Sequence, residues 1–91
     1  MVKKRSRLEV IHDILHTINK KGENIKPTHI MYKSNLSHQM MQEYLKELLE
    51  KNFIEENKSK KGKTYFLTKK GKDYLSKYNS MISFMDSFGL N

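Results

Sequence analysis

The 91-residue sequence contains no cysteine and only one proline. Without cysteine the chain has no disulfide, no thiolate zinc site and no cysteine nucleophile. No apolar run approaches the ~20 residues that a membrane-spanning helix needs. The basic N-terminus resembles the start of a signal peptide, but Glu9, His12 and Asp13 interrupt the segment after it, so no apolar signal core is predicted. We therefore expect a single small domain in the cytoplasm, with no membrane partner.

Acidic residues are also missing from two segments, 1–8 and 57–72. The first segment holds four cations and the second holds seven lysines, in a chain whose net charge is +8. The rest of the chain is slightly acidic, because its seven cations face ten acids. Two local basic patches predict a surface for a polyanion. The alternative is that lysine-rich loops only keep a small protein soluble.

Apolar residues at helical spacing predict a first helix over residues 6–20. Ser6 and Glu9 have the spacing of a capping box, in which each side chain bonds the other residue's backbone amide. Gly22 is a typical residue for the helix end. The predicted buried stripe consists of Leu8, Ile11, Ile14, Leu15 and Ile18.

Two further helices are predicted on either side of a short turn. An extended segment at Ile25 to Pro27 precedes a short helix over 28–34, because proline disfavours helix at the preceding residue. Asn35 and Leu36 form the turn, and Ser37 caps a third helix that runs to about Lys51. The apolar face of this helix is Met41, Tyr44, Leu45, Leu48 and Leu49. Its polar face is Gln39, Gln42, Glu43, Lys46 and Glu50.

After Asn52 the period of the sequence changes from helical to strand-like. Residues 53–56 and 64–67 predict two strands joined by a lysine-rich loop over 57–63, which is a hairpin with a basic tip. Thr68 can cap a last helix from about Lys69 to Phe88, ended by Gly89. We expect a mostly α fold with a small β-hairpin (α+β), which is a winged helix-turn-helix. The winged part would cover residues 1–67, and the last helix, 68–91, would belong to the same domain.

This order of elements is typical of proteins that bind double-stranded DNA. The third helix would place its polar face in the major groove, and the lysines of the hairpin would meet phosphates. Gln39 and Gln42 are candidates for reading adenine. The alternative is an ordinary solvated helix face, which Glu43 and Glu47 favour because they would repel phosphates. The candidate DNA contacts are Lys3, Lys4, Arg5, Arg7, Ser37, His38, Gln39, Gln42, Lys46, Lys58, Lys60, Lys61 and Lys63.

Three stretches of the chain carry a resemblance to a known family: residues 4–11, the central Ile30-Met31-Tyr32 with Asn35-Leu36-Ser37, and Leu67-Thr68-Lys69-Lys70-Gly71. Through them, residues 4–72 resemble the archaeal ten-kilodalton winged-helix chromatin proteins and the related archaeal winged helix-turn-helix regulators. The resemblance implies a winged-helix fold, DNA binding as a regulator or an architectural protein of the nucleoid, and dimerisation through the final helix as an antiparallel two-helix coil.

The last helix also indicates a partner when it is considered by itself. Its apolar residues step by four and three, which is a heptad pattern, and Leu75 and Ile82 widen the stripe. The candidate interface of a homodimer is Tyr74, Tyr78, Met81, Ile82, Met85 and Phe88. The alternatives are a stripe that folds back over the domain's own core, or a mixture with Tyr74 and Leu75 packed at home.

No arrangement of residues predicts catalysis. His12 and His16 share a helix face as in zinc proteases, but no third ligand is evident, so they are interpreted as polar residues beside the apolar stripe. His29 and His38 are expected to be exposed. We predict no enzyme activity, no cofactor, no metal and no small-molecule substrate. The competing functions are a winged-helix adaptor for proteins, which would hardly need so many lysines in its wing, and an RNA-binding module, for which the wing lacks an exposed aromatic platform.

Overall fold

Four helices and one hairpin form the fold, and the computed structural model describes residues 5–21 and 25–90. The predicted order of elements is confirmed. Lys3, Lys4 and Gly22 lie outside the described residues. The elements are α1 (Arg7–Lys21), α2 (Pro27–Lys33), α3 (His38–Glu50), β1 (Ile54–Ser59), β2 (Gly62–Leu67) and α4 (Lys69–Ser87).

Side-chain caps begin three of the helices, as their sequences predict. The Ser6 amide donates to Glu9 Oε1 at 3.3 Å, and the Glu9 amide donates to Ser6 Oγ at 3.2 Å, so the capping box of α1 is complete. The hydroxyl of Ser37 accepts from the Met40 amide, and the hydroxyl of Thr68 accepts from the Gly71 amide. Each cap satisfies a helix amide that has no partner within its own helix.

Three helices end in the same way, with a left-handed residue that reverses the backbone. The residues are Asn35, Asn52 and Gly89, with φ angles of 54°, 64° and 70°. After each of them the next amide bonds a carbonyl five residues back, as in Leu36 to Met31 and Phe53 to Leu48. This is the Schellman motif, and it needs a residue that tolerates positive φ, which glycine and asparagine do best.

The core lies between α1 and the other elements. Ile14, Leu15 and Ile18 are fully buried on the inner face of α1, and Leu48 and Ile54 reach the same cluster from α3 and β1. Leu8 does not belong to this stripe, which corrects the prediction. Its side chain is 54% exposed because it lies in the first turn of α1, beside α4 and outside the core.

The hairpin is longer than the sequence indicates. Residues 57–59 and 62–63, predicted as loop, continue the two strands, so only Lys60 and Lys61 form the turn. The pairing extends into polar residues because the ladder is made by backbone groups and not by side chains. Lys58, for example, lies opposite Lys63. Ile25 adds a single bridge on the other side of β2, where its carbonyl accepts from the Tyr65 amide at 2.9 Å. The predicted extended segment before α2 is thus confirmed.

The start of α4 is seated on the end of α3. Three consecutive carbonyls, those of Lys51, Asn52 and Phe53, accept from the Lys70 ammonium, the Thr68 hydroxyl and the Thr68 amide, respectively. Gly71 makes this close approach possible, because a Cβ atom at that position would lie 2.3 Å from the Phe53 carbonyl oxygen. The hairpin therefore begins and ends at one rigid joint, which is the contact between the end of α3 and the start of α4.

We predict that Gly71→Ala destabilises the protein, although alanine favours helix by about 1 kcal/mol over glycine. The added Cβ meets backbone and not a flexible side chain, so α4 must shift, and we expect a cost in the upper part of the usual overpacking range, about 2–3 kcal/mol, which exceeds the gain in helix propensity. Urea unfolding followed by circular dichroism measures the change. Ser76→Ala on the exposed face of α4 is the control and should change the free energy of unfolding by less than about 0.5 kcal/mol. A Gly71→Ala variant as stable as the original protein would contradict the joint described above.

Candidate nucleic-acid interface

The polar face of α3 is exposed along its whole length. His38, Gln42 and Lys46 follow one another at single-turn spacing, and Gln39 lies beside them with Glu43. The Gln42 amide nitrogen is 3.4 Å from the His38 ring, and the Gln39 amide donates to Glu43 at 3.3 Å. These contacts are between exposed side chains and can be exchanged for contacts with a ligand. The predicted reading residues therefore share one accessible face, and Ser37 serves as the cap of the same helix.

A groove of about 540 Å³ separates α3 from the hairpin. One wall carries His38, Gln42 and Lys46 from α3, and the opposite wall carries Glu56 and Lys63 from the hairpin. Both walls of the groove are thus polar at their outer edges. The floor of the groove is apolar and is continuous with the core. The groove brings the predicted α3 residues and a predicted wing residue to the same surface.

The wing holds four of the lysines predicted to contact DNA, and they differ in whether they form an ion pair within the chain. Lys58, Lys60 and Lys61 are exposed and form no ion pair within the part of the chain that the structure describes. Lys63 Nζ lies 3.4 Å from Glu56 Oε1, across the ribbon. Because side chains alternate along strands, Lys58 and its ladder partner Lys63 project from the same face, and Lys60 and Lys61 project from the tip.

One of the acids of α3 is paired with cations of the same chain. Glu47 pairs with Lys51, one turn further on, at 2.8 Å and also with Arg7 from α1. Hydrogen bonds from Lys51 and Arg7 lower the pKa of Glu47, so it stays ionised with two cations beside it. The predicted repulsion of phosphates by Glu47 is therefore reduced, whereas Glu43 and Glu50 remain exposed.

The two described arginines of the N-terminal basic segment are turned toward the protein. Arg5 donates through Nη1 to Asp13 at 2.7 Å and through Nη2 to the Asn35 carbonyl at 3.1 Å. Arg7 pairs with Glu47 and lies over the Tyr44 ring. Both connect α1 to the helix-turn-helix, which is a structural role that a count of charges does not reveal. They are therefore less available to DNA than the wing lysines.

The candidate dimer residues divide into two groups along α4. Tyr74 packs edge-on against Phe53 and donates its hydroxyl to the Leu8 carbonyl, and Tyr78 stacks on His12 at 4.3 Å. Leu75 is buried in the core. Farther along, Ile82 and Met85 are half-buried, while Met81 and Phe88 are exposed. The helix thus packs at home in its first half and extends an apolar ridge in its second half.

Sequence reasoning missed one member of this ridge. Phe84 is 63% exposed and contacts Phe88, with ring centroids 5.0 Å apart. It falls outside the four-three heptad pattern, but its spacing of three from Met81 and four from Phe88 places all three on one side of α4. That spacing was the signal that could have found it.

The histidines offer no metal centre among residues 5–21 and 25–90, where no group of three or more potential ligands is close enough to hold an ion. His12 and His16 stack on each other, and His12 lies 3.2 Å from Asp13. His38 is exposed as predicted, but His29 is half-buried between α1 and α2, which corrects the prediction. Within the same described ranges, no helix has the length and apolar character to cross a membrane.

We predict that Arg5→Ala lowers the free energy of unfolding by about 1–2 kcal/mol, because it removes two charge-assisted hydrogen bonds. Arg5→Lys should recover only part of the loss, since an ammonium cannot place two fixed donors on Asp13 and Asn35. Thermal unfolding measures both changes, with Lys60→Ala as a control that removes one charge from the wing tip. Equal stability of the Arg5→Ala variant and this control would show that the arginine has no structural role.

Comparison with known proteins agrees with this architecture. The chain aligns with Sso10a-2, a DNA-binding protein from Sulfolobus solfataricus, at a TM-score of 0.78 and 21% identity, over 92% of this chain and 85% of that one. A winged-helix DNA-binding protein from STIV matches at a TM-score of 0.73 and 18% identity, over 87% and 91% of the two chains. A MarR family transcriptional regulator from Silicibacter pomeroyi matches at 0.75 and 16% identity, over 86% of this chain and 53% of that one.

At these identities the structural matches establish the fold. No curated protein sequence matches the chain significantly. The model of a protein family, described as winged helix-turn-helix, matches residues 4–86. That match includes α1, α2, α3, the hairpin and all but the last residue of α4, and the chain accordingly belongs to the winged helix-turn-helix family.

Proposed function

We propose that this protein binds double-stranded DNA, with α3 in the major groove and the wing on the phosphate backbone. The observation that carries the proposal is the shared groove between them. It places an exposed helix face of glutamine, histidine and lysine beside a hairpin whose free lysines occupy its tip and one face. A major groove about 12 Å wide admits such a helix, and the wing then reaches the adjacent backbone.

Among the possible roles, a transcriptional regulator or an architectural protein of the nucleoid fits this surface best. Sequence-independent contacts would come from Lys58, Lys60, Lys61 and Lys63, whereas sequence preference would come from Gln39 and Gln42. Lys46, His38 and Ser37 lie on the same side and would contact base edges or phosphates. The unpaired wing lysines disfavour a protein–protein adaptor, because that role does not require so many free cations in the wing. Among residues 5–21 and 25–90, no arrangement of side chains supports an enzyme.

The proposal includes a homodimer formed through α4, and two features support it. Met81, Phe84 and Phe88 form an exposed apolar ridge, and soluble proteins usually avoid leaving such ridges in water. Beside the ridge, Leu8 and Tyr74 line an apolar groove of about 220 Å³. Antiparallel pairing of two α4 helices would bring the ridge of one chain to the groove of the other. A two-fold pair would present two α3 helices and two wings to one duplex.

We predict that replacing Lys58, Lys60, Lys61 and Lys63 with alanine weakens binding to all duplex sequences similarly and flattens its dependence on salt. The slope of log K against log salt should fall by about 0.9 for each phosphate contact that is lost. Gel-shift titrations over a range of salt concentrations measure both effects.

A matched control tests whether position matters beyond charge. Lys60→Ala with Lys61→Ala changes the tip, and Lys69→Ala with Lys72→Ala removes the same charge from the start of α4, at the opposite end of the hairpin. The tip variant should lose affinity and the control should retain most of it. Unchanged affinity in the quadruple variant would overturn the assignment of the wing.

Base reading makes a separate prediction for α3. Gln39→Ala and Gln42→Ala should reduce discrimination between duplex sequences more than they reduce total affinity, because a bidentate glutamine–adenine pair is worth about 1–3 kcal/mol of discrimination. Selection of preferred sites from a random duplex pool, followed by competition titrations, measures the difference. A wild-type protein without sequence preference would contradict the reading role and place the protein among non-specific architectural binders.

The dimer is tested at residues that are exposed in the single chain. Met81→Glu with Phe84→Glu should give a folded monomer that binds DNA more weakly, although neither residue is a predicted DNA contact. Burial of each such side chain would contribute about 1.5–3 kcal/mol before ordering costs. Light scattering and gel shifts measure mass and affinity.

Ser76→Glu with Ser83→Glu adds the same charge to the opposite face of α4 and serves as the control, so it should remain dimeric. A wild-type monomer at high concentration would rule out the dimer. A monomeric variant with unchanged affinity would show that the dimer has no part in DNA binding.

A further inference from the structure

A second basic site, separate from the hairpin groove, lies between the end of α1 and α2. It is a cavity of about 370 Å³ to which α1 contributes four residues and α2 contributes two. Its lining residues are His16, Thr17, Lys20, Lys21, His29 and Lys33. None of them lines the groove between α3 and the wing. The cavity therefore stands apart from the surface proposed to bind the major groove.

The described residues that line this cavity carry three ammonium groups and no carboxylate. Lys20, Lys21 and Lys33 form no ion pair among residues 5–21 and 25–90. Each lies in the last turn of its helix, where one cation is enough to offset the partial charge of about −0.5 at a helix end. The cations around the cavity therefore exceed what the two helix ends require.

The nearest carboxylate on α1 cannot serve these lysines. Asp13 precedes Thr17 by one turn, but its two oxygens are held by Arg5 and contacted by His12. The Thr17 hydroxyl donates to the Asp13 carbonyl, so its oxygen faces the cavity only as an acceptor. The donors left for a ligand are the three ammonium groups and the ring nitrogens of His16 and His29. All of them can donate a hydrogen bond to an anion, and the three ammonium groups would repel a cation.

We propose that this cavity, which we call the α1–α2 pocket, binds a phosphate-bearing anion. Three lysines with long flexible stems can converge on one group from two helices, and phosphate offers several acceptor oxygens to them at once. The volume lies in the range of small-ligand sites, and the alkyl stems of the lysines supply its apolar walls. The phosphate belongs either to a free small molecule or to the backbone of DNA that passes this side of the domain.

Pyrophosphate is a suitable probe, and the four histidines of the chain are suitable reporters. In a titration followed by NMR, the ring signals of His16 and His29 should shift together and saturate. His38, which lies on α3, reports binding at the other surface. The double variant Lys20→Gln with Lys33→Gln should weaken pyrophosphate binding at the pocket by about tenfold or more, which corresponds to 1.4 kcal/mol or more. The variant Lys69→Gln with Lys72→Gln removes equal charge elsewhere and should bind as the original protein does.

Gel shifts with the same two variants distinguish the sources of the phosphate. A loss of duplex affinity in the pocket variant alone identifies the ligand as DNA backbone, and an unchanged duplex affinity identifies it as a free anion. The proposal is overturned if His16 and His29 do not shift with pyrophosphate at millimolar concentration, or if both variants lose affinity equally. Both variants change only exposed lysines, so both should remain folded at the temperature of the titration.

Discussion

The joint between the end of α3 and the start of α4 holds the rest of the structure in place. Three successive carbonyls there would lack helix partners, and Thr68 and Lys70 supply the missing donors. Asn52 turns the backbone at positive φ, and Gly71 allows the two segments to approach to contact. Since the hairpin begins and ends at this joint, the angle between α3 and the wing is determined by the hydrogen bonds that Thr68 and Lys70 donate to these carbonyls, and it depends little on the polar residues of the wing. The wing can therefore carry many lysines without loss of its position.

Electrostatics divides the charged residues into two classes with different roles. Arg5 and Arg7 hold α1 to the helix-turn-helix through Asp13, Asn35 and Glu47, so their charges are engaged by partners within the chain. Lysines at the hairpin tip and in the α1–α2 pocket keep their charges free of such pairs within the described ranges. The chemistry of the two side chains favours this separation, because a guanidinium fits two fixed acceptors and an ammonium on a flexible stem suits a mobile anion, although Lys51, Lys63 and Lys70 also have partners within the chain. A binding surface made of lysine also adapts to duplexes that differ in sequence.

The last helix connects the core to the proposed dimer contact. Its first half is part of the domain, since Leu75 is buried, Tyr74 bonds the Leu8 carbonyl and Tyr78 stacks on His12. Its second half has little to pack against in one chain, and the ridge ends in a Schellman turn at Gly89. A partner on this ridge would thus be held rigidly to α1 and, through Arg5, to the turn before α3. In the proposed dimer this rigidity would fix the spacing of the two α3 helices, which decides which sites on DNA the pair can occupy together.

The local signals of the sequence were sufficient for the order of the elements and, to within about one residue, for the described ends of the helices. Ser6 with Glu9, Ser37 and Thr68 cap helices through their own side chains, and Asn35 and Gly89 tolerate the backbone that ends a helix, so each acts within a few residues of itself. The exposed face of α3 also followed from spacing alone. Contacts between distant residues decided the rest. Leu8 fits the apolar period but lies outside the core, Arg5 and Arg7 are captured by acids up to forty residues away, and the hairpin extends through polar residues that pair across it. Lys20 and Lys33 belong to no pattern in the sequence that would mark them as neighbours. Only the packing of α1 against α2 brings them to one cavity, because contacts between distant residues leave no periodic signal in a chain.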